Sequence, residues 1–108
     1  MKIFTTFAFL LAFTLSSHAA LKVATLHPIL ADLARQVGGP HVEVVEVLKA
    51  GSDVHHFEPS ARDIAAMRGA PLILACGKHL ETYLDNLRDS VGSGVKVVEV
   101  GKPIPSLL

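Results

Sequence analysis

The chain has little sulfur and few aromatic rings. A single cysteine, Cys76, excludes an internal disulfide framework and any zinc site built from several thiolates. Tryptophan is absent, and the aromatic residues are five Phe and one Tyr. Phe4, Phe7, Phe9 and Phe13 crowd the start, so Phe57 and Tyr83 are the only rings of this kind in everything that follows. An excess of one charge is also missing. Ten Lys+Arg balance ten Asp+Glu over 108 residues, with no basic run, which removes the electrostatic footprint of a nucleic-acid binder. No apolar run reaches the ~20 residues of a membrane-spanning helix. The length accommodates one small domain.

What is present begins with an export pattern. Lys2 precedes an apolar run from Phe7 to Leu15, and Ser17-His18-Ala19 sets small residues where a signal peptidase reads. The pattern predicts a signal peptide over residues 1–19, cleavage after Ala19 and a mature chain in the periplasm. Cys76 lies far from that junction, so no lipid-carrying N-terminal cysteine is expected, and no transmembrane segment remains in the mature chain. Cleavage removes only Lys2 among the charged groups, so the mature chain stays close to neutral.

From Leu21 onward, β-rich runs alternate with helical patterns. Residues 21–26 read as a strand. Pro28 suits a first helical turn, Ile29, Leu30, Leu33 and Val37 follow at helical spacing, and Gly38-Gly39 closes the helix. Residues 42–48 are β-branched and read as a second strand, and residues 49–59 as a polar loop. Ser60 with Asp63 resembles a capping box for a helix over residues 61–68, ended by Gly69. Residues 71–76 are continuously apolar, as in a strand covered on both faces. Leu80, Tyr83, Leu84, Leu87 and Val91 form one stripe of an amphipathic helix, and residues 95–100 supply a fourth strand. Strand–helix alternation with short helices predicts an α/β fold, a four-stranded parallel sheet flanked by helices. A domain this small buries only ~60–65% of its unfolded surface, so marginal stability is expected.

The histidines are not scattered evenly. His27 follows the first strand, His55 and His56 the second, and His79 the third, whereas His41 precedes a strand at the opposite end. In an open parallel sheet ligands bind beyond the carboxyl ends of the strands, and imidazole is the commonest metal ligand. A lone loop histidine is more often a solvated side chain. His27 is equally placed to cap the helix at Pro28, and His79 to start the next one. His55-His56 stands out because Asp53 and Glu58 flank it, and a ligand imidazole wants a carboxylate on its second nitrogen.

Three stretches, KVATLHPILADLARQVGG, VEVVEVLKAGSDVHHFEPSARDIAAM and APLILACGKHLETYLDNL, resemble the lipoproteins and periplasmic proteins that deliver zinc or manganese to ABC importers. The family pattern Asp-Pro-His-x-(Tyr/Phe)-Glu-Pro stands here as Asp53-Val54-His55-His56-Phe57-Glu58-Pro59, with Val54 in place of Pro. Gly77-x-x-Leu80-Glu81-x-x-Leu84 matches a second family segment, with Tyr83 at its aromatic position. The resemblance implies that His55 is the first metal ligand, with His56 as the alternative. It makes Asp53 and Glu58 loop-shaping groups, and it gives no ligand role to Glu81, His27 or His79. Its members are two-lobed, with the metal between lobes. It therefore implies that residues 20–108 are one N-terminal, partial lobe of an apparently truncated protein, the later ligands being absent.

The function implied is capture of a divalent cation as cargo and its presentation to the membrane permease of an ABC importer. Zn2+ is favoured over Mn2+, because histidines are concentrated here and carboxylates are not. One lobe alone is expected to bind metal weakly, since zinc takes three or four protein ligands. Two other classes compete. Cys76 with His79 three residues on resembles a thiolate enzyme, but Cys76 ends an apolar run and no third orienting group is apparent. An exported adhesion or scaffolding domain would use the same lobe. Gly77-Lys78 is not a phosphate loop, because Leu72 takes the place of its first glycine and His79 that of Ser/Thr.

Overall fold

The computed structural model describes residues 18–106, so residues 1–17 of the expected export segment lie outside the described residues. Strands β1 (Leu21–Thr25), β2 (Val42–Glu46), β3 (Leu72–Ala75) and β4 (Lys96–Glu99) alternate with helices α1 (Pro28–Gly38), α2 (Ala61–Arg68) and α3 (Leu84–Val91). The strands make one sheet in the order β2-β1-β3-β4, and every pair is parallel. This is the α/β parallel sheet expected from the alternation, with each strand one or two residues shorter than read.

Local chemistry explains most boundaries. His27 is the N-cap of α1, its Nδ1 accepting the Ile29 amide at 3.2 Å, and Pro28 fills the first turn where no amide bond is lost. Ser60 and Asp63 form the expected capping box, with the Asp63 amide on Ser60 Oγ at 3.2 Å and the Ser60 amide on Asp63 Oδ2 at 2.8 Å.

The exception is the start of α3. The apolar stripe predicts a helix from Leu80, but the helix begins at Leu84. Gly77, Lys78 and His79 all have positive φ, of 77°, 54° and 64°, so the chain turns through a left-handed run before it can become helical. Tyr83 is still buried, as part of a turn and not of a helical face.

Ala24, Ile73 and Ala75 point to one side of the sheet, where they pack with Met67 of α2 and Leu84, Leu87 and Val91 of α3. Leu21, Val23, Leu72 and Leu74 point to the other, where α1 lays Leu30 and Leu33 beside them and leaves an open apolar groove toward Val100. The chain reverses its direction of travel between β1 and β3. At such a switch point an open parallel sheet binds ligands beyond the carboxyl ends of its strands.

Ile73 is fully buried in the central strand β3, whereas Val37 on α1 is 88% exposed. Ile73→Ala is expected to lower the unfolding free energy by about 2–5 kcal/mol. Val37→Ala is expected to change it by less than about 0.5 kcal/mol. Urea unfolding curves of the two variants check both values.

Candidate metal centre

The loop between β2 and α2 carries the candidate ligands. The Val47 amide bonds the Thr25 carbonyl at 3.0 Å and Leu48 is buried, so the loop leaves the sheet from a fixed point. At its far side Asp53 organises a tight turn. Asp53 Oδ1 accepts the His55 amide at 2.9 Å, and Oδ2 meets His56 Nδ1 at 2.6 Å. The bond to the His56 ring, and after it the His55 amide, holds the Asp53 carboxyl below its ordinary value. An ionised carboxylate only accepts hydrogen bonds, so His56 Nδ1 donates, which in the neutral ring leaves Nε2 as the nitrogen without a proton. The His55 ring is exposed and, among the described residues, has no hydrogen-bond partner.

The other histidines are placed differently. His27 spends Nδ1 on the α1 cap, so in its neutral form Nε2 carries the proton and neither nitrogen is left for a metal. His79 is exposed on the left-handed run, in a cleft shared with Glu81, Asp85, Arg88 and Glu99. Arg88 already bonds Glu99 at 2.9 Å and Asp85 at 3.2 Å, which ties up both carboxylates. Glu58 lies exposed on a shallow groove beside Tyr83 and Asn86. Among the described residues no three His, Cys, Asp or Glu side chains group closely enough to hold a metal ion. The structure thus joins the His56 ring and the His55 backbone amide to Asp53, and among the described residues no hydrogen bond joins His27 or His79 to them.

Glu81 has a role that its place in the motif alone does not disclose. It is 5% exposed, and its carboxylate accepts the Cys76 amide at 2.6 Å and the Gly77 amide at 2.9 Å. Two amides that would otherwise be orphaned at the strand end are satisfied by one side chain. Gly77 is required here, since a Cβ would sit 2.9 Å from Glu99 Cβ. Gly101 is required too, because its Cβ would come within 2.6 Å of the Cys76 carbonyl oxygen. A glycine followed four residues later by a lone acid was the available sequence signal. Tyr83, two residues on, stacks edge-to-face on Phe57 of the histidine loop, with centroids 5.8 Å apart and planes at 73°. Burial, then the nearby Glu81 and Cys76, raises the Tyr83 phenol above its ordinary value.

Burial first, and then the charge and hydrogen bond of Glu81, push the Cys76 thiol up to about 11, so it stays protonated at neutral pH. That removes the activated thiolate a cysteine enzyme needs. Iodoacetamide labelling of Cys76 is therefore expected to be slow at pH 7 and to speed up as pH rises toward about 11. Glu81→Gln deletes a raising influence and should make labelling faster at any given pH. Rapid labelling of the unaltered chain at pH 7, followed by mass spectrometry, would contradict this.

Comparison with known proteins places this geometry. The family model described as "ZnuA: Zinc-uptake complex component A periplasmic" matches residues 23–107. "Iron-binding protein YfeA" of Yersinia pestis is 33% identical over 70 residues, 65% of this chain and 22% of that protein. "Manganese ABC transporter substrate-binding lipoprotein PsaA" of Streptococcus pneumoniae is 37% identical over 67 residues, 62% of this chain and 22% of that one. The solved periplasmic zinc-binding protein TroA from Treponema pallidum superposes with a TM-score of 0.74 at 28% identity, covering 81% of this chain and 31% of its own. The chain thus spans less than a third of the length of these relatives.

One expectation is corrected by these relatives. A periplasmic chain with a cleaved signal peptide and no lipid does not stand, because PsaA is named a lipoprotein, a protein anchored to the membrane through a lipidated N-terminal cysteine. The expectation rested on the distance of Cys76 from Ala19, and small residues after an apolar run serve both modes of export. Among the described residues no helix is long and apolar enough to cross a membrane. With the match over residues 23–107 and the shared parallel-sheet lobe, the chain belongs to the ZnuA family of metal ABC transporter solute-binding proteins.

Proposed function

We propose that the chain supplies the N-terminal lobe, residues 20–108, of the substrate-binding component of a metal ABC importer. It takes up a divalent cation as cargo and presents it to a membrane permease. The observation that carries this reading is the Asp53 turn in the loop after β2, which bonds the His55 amide and orients the His56 imidazole. Relatives named for iron, manganese and zinc agree on a divalent cation and differ on which.

Zinc is the proposed cargo over manganese, because paired imidazoles suit zinc and manganese prefers oxygen donors. His55 is the proposed first ligand, from its place in the Asp-x-His-x-aromatic-Glu-Pro pattern. The bond from Asp53 favours a second assignment, in which the oriented His56 offers Nε2. Either way two imidazoles are fewer than the three or four ligands of a zinc site. Weak binding by this lobe follows.

Members of this family are transport proteins, and the protonated Cys76 offers no nucleophile for an enzymatic alternative. Isothermal titration with Zn2+ and with Mn2+ tests the proposal. The expected result is weak Zn2+ binding, weaker Mn2+ binding, and a loss of about tenfold or more in Zn2+ affinity in His55→Ala. An equal loss in His56→Ala alone selects the second assignment. Tight binding that survives the double variant would contradict both.

A further inference from the structure

The histidine loop is long and thinly tied. From residue 47 to residue 60 it is fastened at its start by the Val47 amide on Thr25 and at its end by the Ser60 capping box. Between Asp53 and Pro59 the hydrogen bonds stay within the turn, joining Asp53 to His55 and His56 and reaching nothing in the body of the lobe. Left to those bonds, the turn would keep its shape but not its place. Phe57 joins it to the body, half-buried against the core cluster and edge-to-face on Tyr83.

Tyr83 is in turn well fixed. It is buried, it stands at the N-terminus of α3, and it lies two residues after the glutamate that clamps the Cys76 and Gly77 amides. From the end of β3 the path runs through the Glu81 clamp, along the chain to Tyr83, across the ring pair to Phe57, and along the chain to His55 and His56.

We propose that the Phe57–Tyr83 ring pair is the latch that positions the histidine turn, coupling its placement to the Glu81-clamped loop after β3. Both are positioning residues: Phe57 has no donor atom, and Tyr83 is buried with its ring against Phe57. The inference rests on the metal-binding reading given above. An edge-to-face pair adds to simple burial, and it resists sliding of one loop past the other. Any movement of the β3–α3 loop would be transmitted to the imidazoles through these two rings.

A double-mutant cycle on the full chain tests the latch, with Zn2+ alone as the probe. Phe57→Leu, Tyr83→Leu and the double variant are titrated with Zn2+. Each also gives a urea midpoint and a metal-free 1H–15N spectrum. Each single change is expected to weaken Zn2+ binding by about 3- to 10-fold. The double variant should be no weaker than the weaker of the two singles, because the second change removes nothing further.

Tyr83→Leu should also shift the His55 and His56 amide resonances, although Tyr83 lies in a different loop. The conservative changes Tyr83→Phe and Phe57→Tyr keep both rings and should restore affinity and resonance positions. Additive losses in the double variant would overturn the latch, as would His55 and His56 resonances unmoved in a folded Tyr83→Leu protein. If the unaltered chain bound Zn2+ without using either histidine, the metal reading would fail. The metal-free resonances would then still decide the latch.

Discussion

At the end of β3 a carboxylate turns back on its own chain and holds two amides. Glu81 is nearly inaccessible to water, and its compensation is the pair of N–H groups of Cys76 and Gly77 at 2.6 and 2.9 Å. A buried carboxylate with no cation beside it is tolerated only when its oxygens are hydrogen-bonded. The backbone must therefore come to it, and Gly77, Lys78 and His79 take left-handed conformations to allow this. For Lys78 and His79 such geometry is intrinsically unfavourable, so the tertiary contact imposes it. The late start of α3 goes with this clamp, and Glu81 adds to the burial that raises the Cys76 thiol.

The same clamp connects fold to function. The strand order switches between β1 and β3, and an open parallel sheet binds ligands in the crevice beyond its carboxyl ends at such a switch. A rigid β3–α3 loop gives that crevice one firm wall. The histidine loop, fastened by Phe57, is the adjustable part beside it. In the proposed role both properties would serve, since ligands must be held in their geometry. The apolar groove on the α1 side of the sheet, bordered by Leu33, Val37 and Val100, has no part in this chemistry.

Much of the architecture was legible in the sequence because it is set locally. His27-Pro28 and Ser60-Asp63 announce their helices through caps, and the caps are present as read. The apolar run of β3 announces a strand covered on both faces, and β3 is central. The start of α3 was not legible. A stripe at helical spacing reports which residues are buried, and Leu80 and Tyr83 are sheltered on a turn as they would be on a helix. Nor could sequence position separate the histidines. His27 and His79 follow strands just as His55 does, but one is consumed by a helix cap and the other lies on the clamped turn. Which nitrogen of His56 is free depends on a 2.6 Å contact with Asp53, and spacing gives no more than a hint of it.

Amide hydrogen exchange reads the Glu81 clamp directly. Cys76 closes the edge of β3 and Gly77 begins an exposed turn, so without the clamp the Gly77 amide would exchange as fast as those of Lys78 and His79. With the clamp in place, Cys76 and Gly77 are expected to be protected to the level of the β3 amides, with Lys78 and His79 exchanging freely. Fast exchange at Gly77, equal to that of its two neighbours, would contradict it.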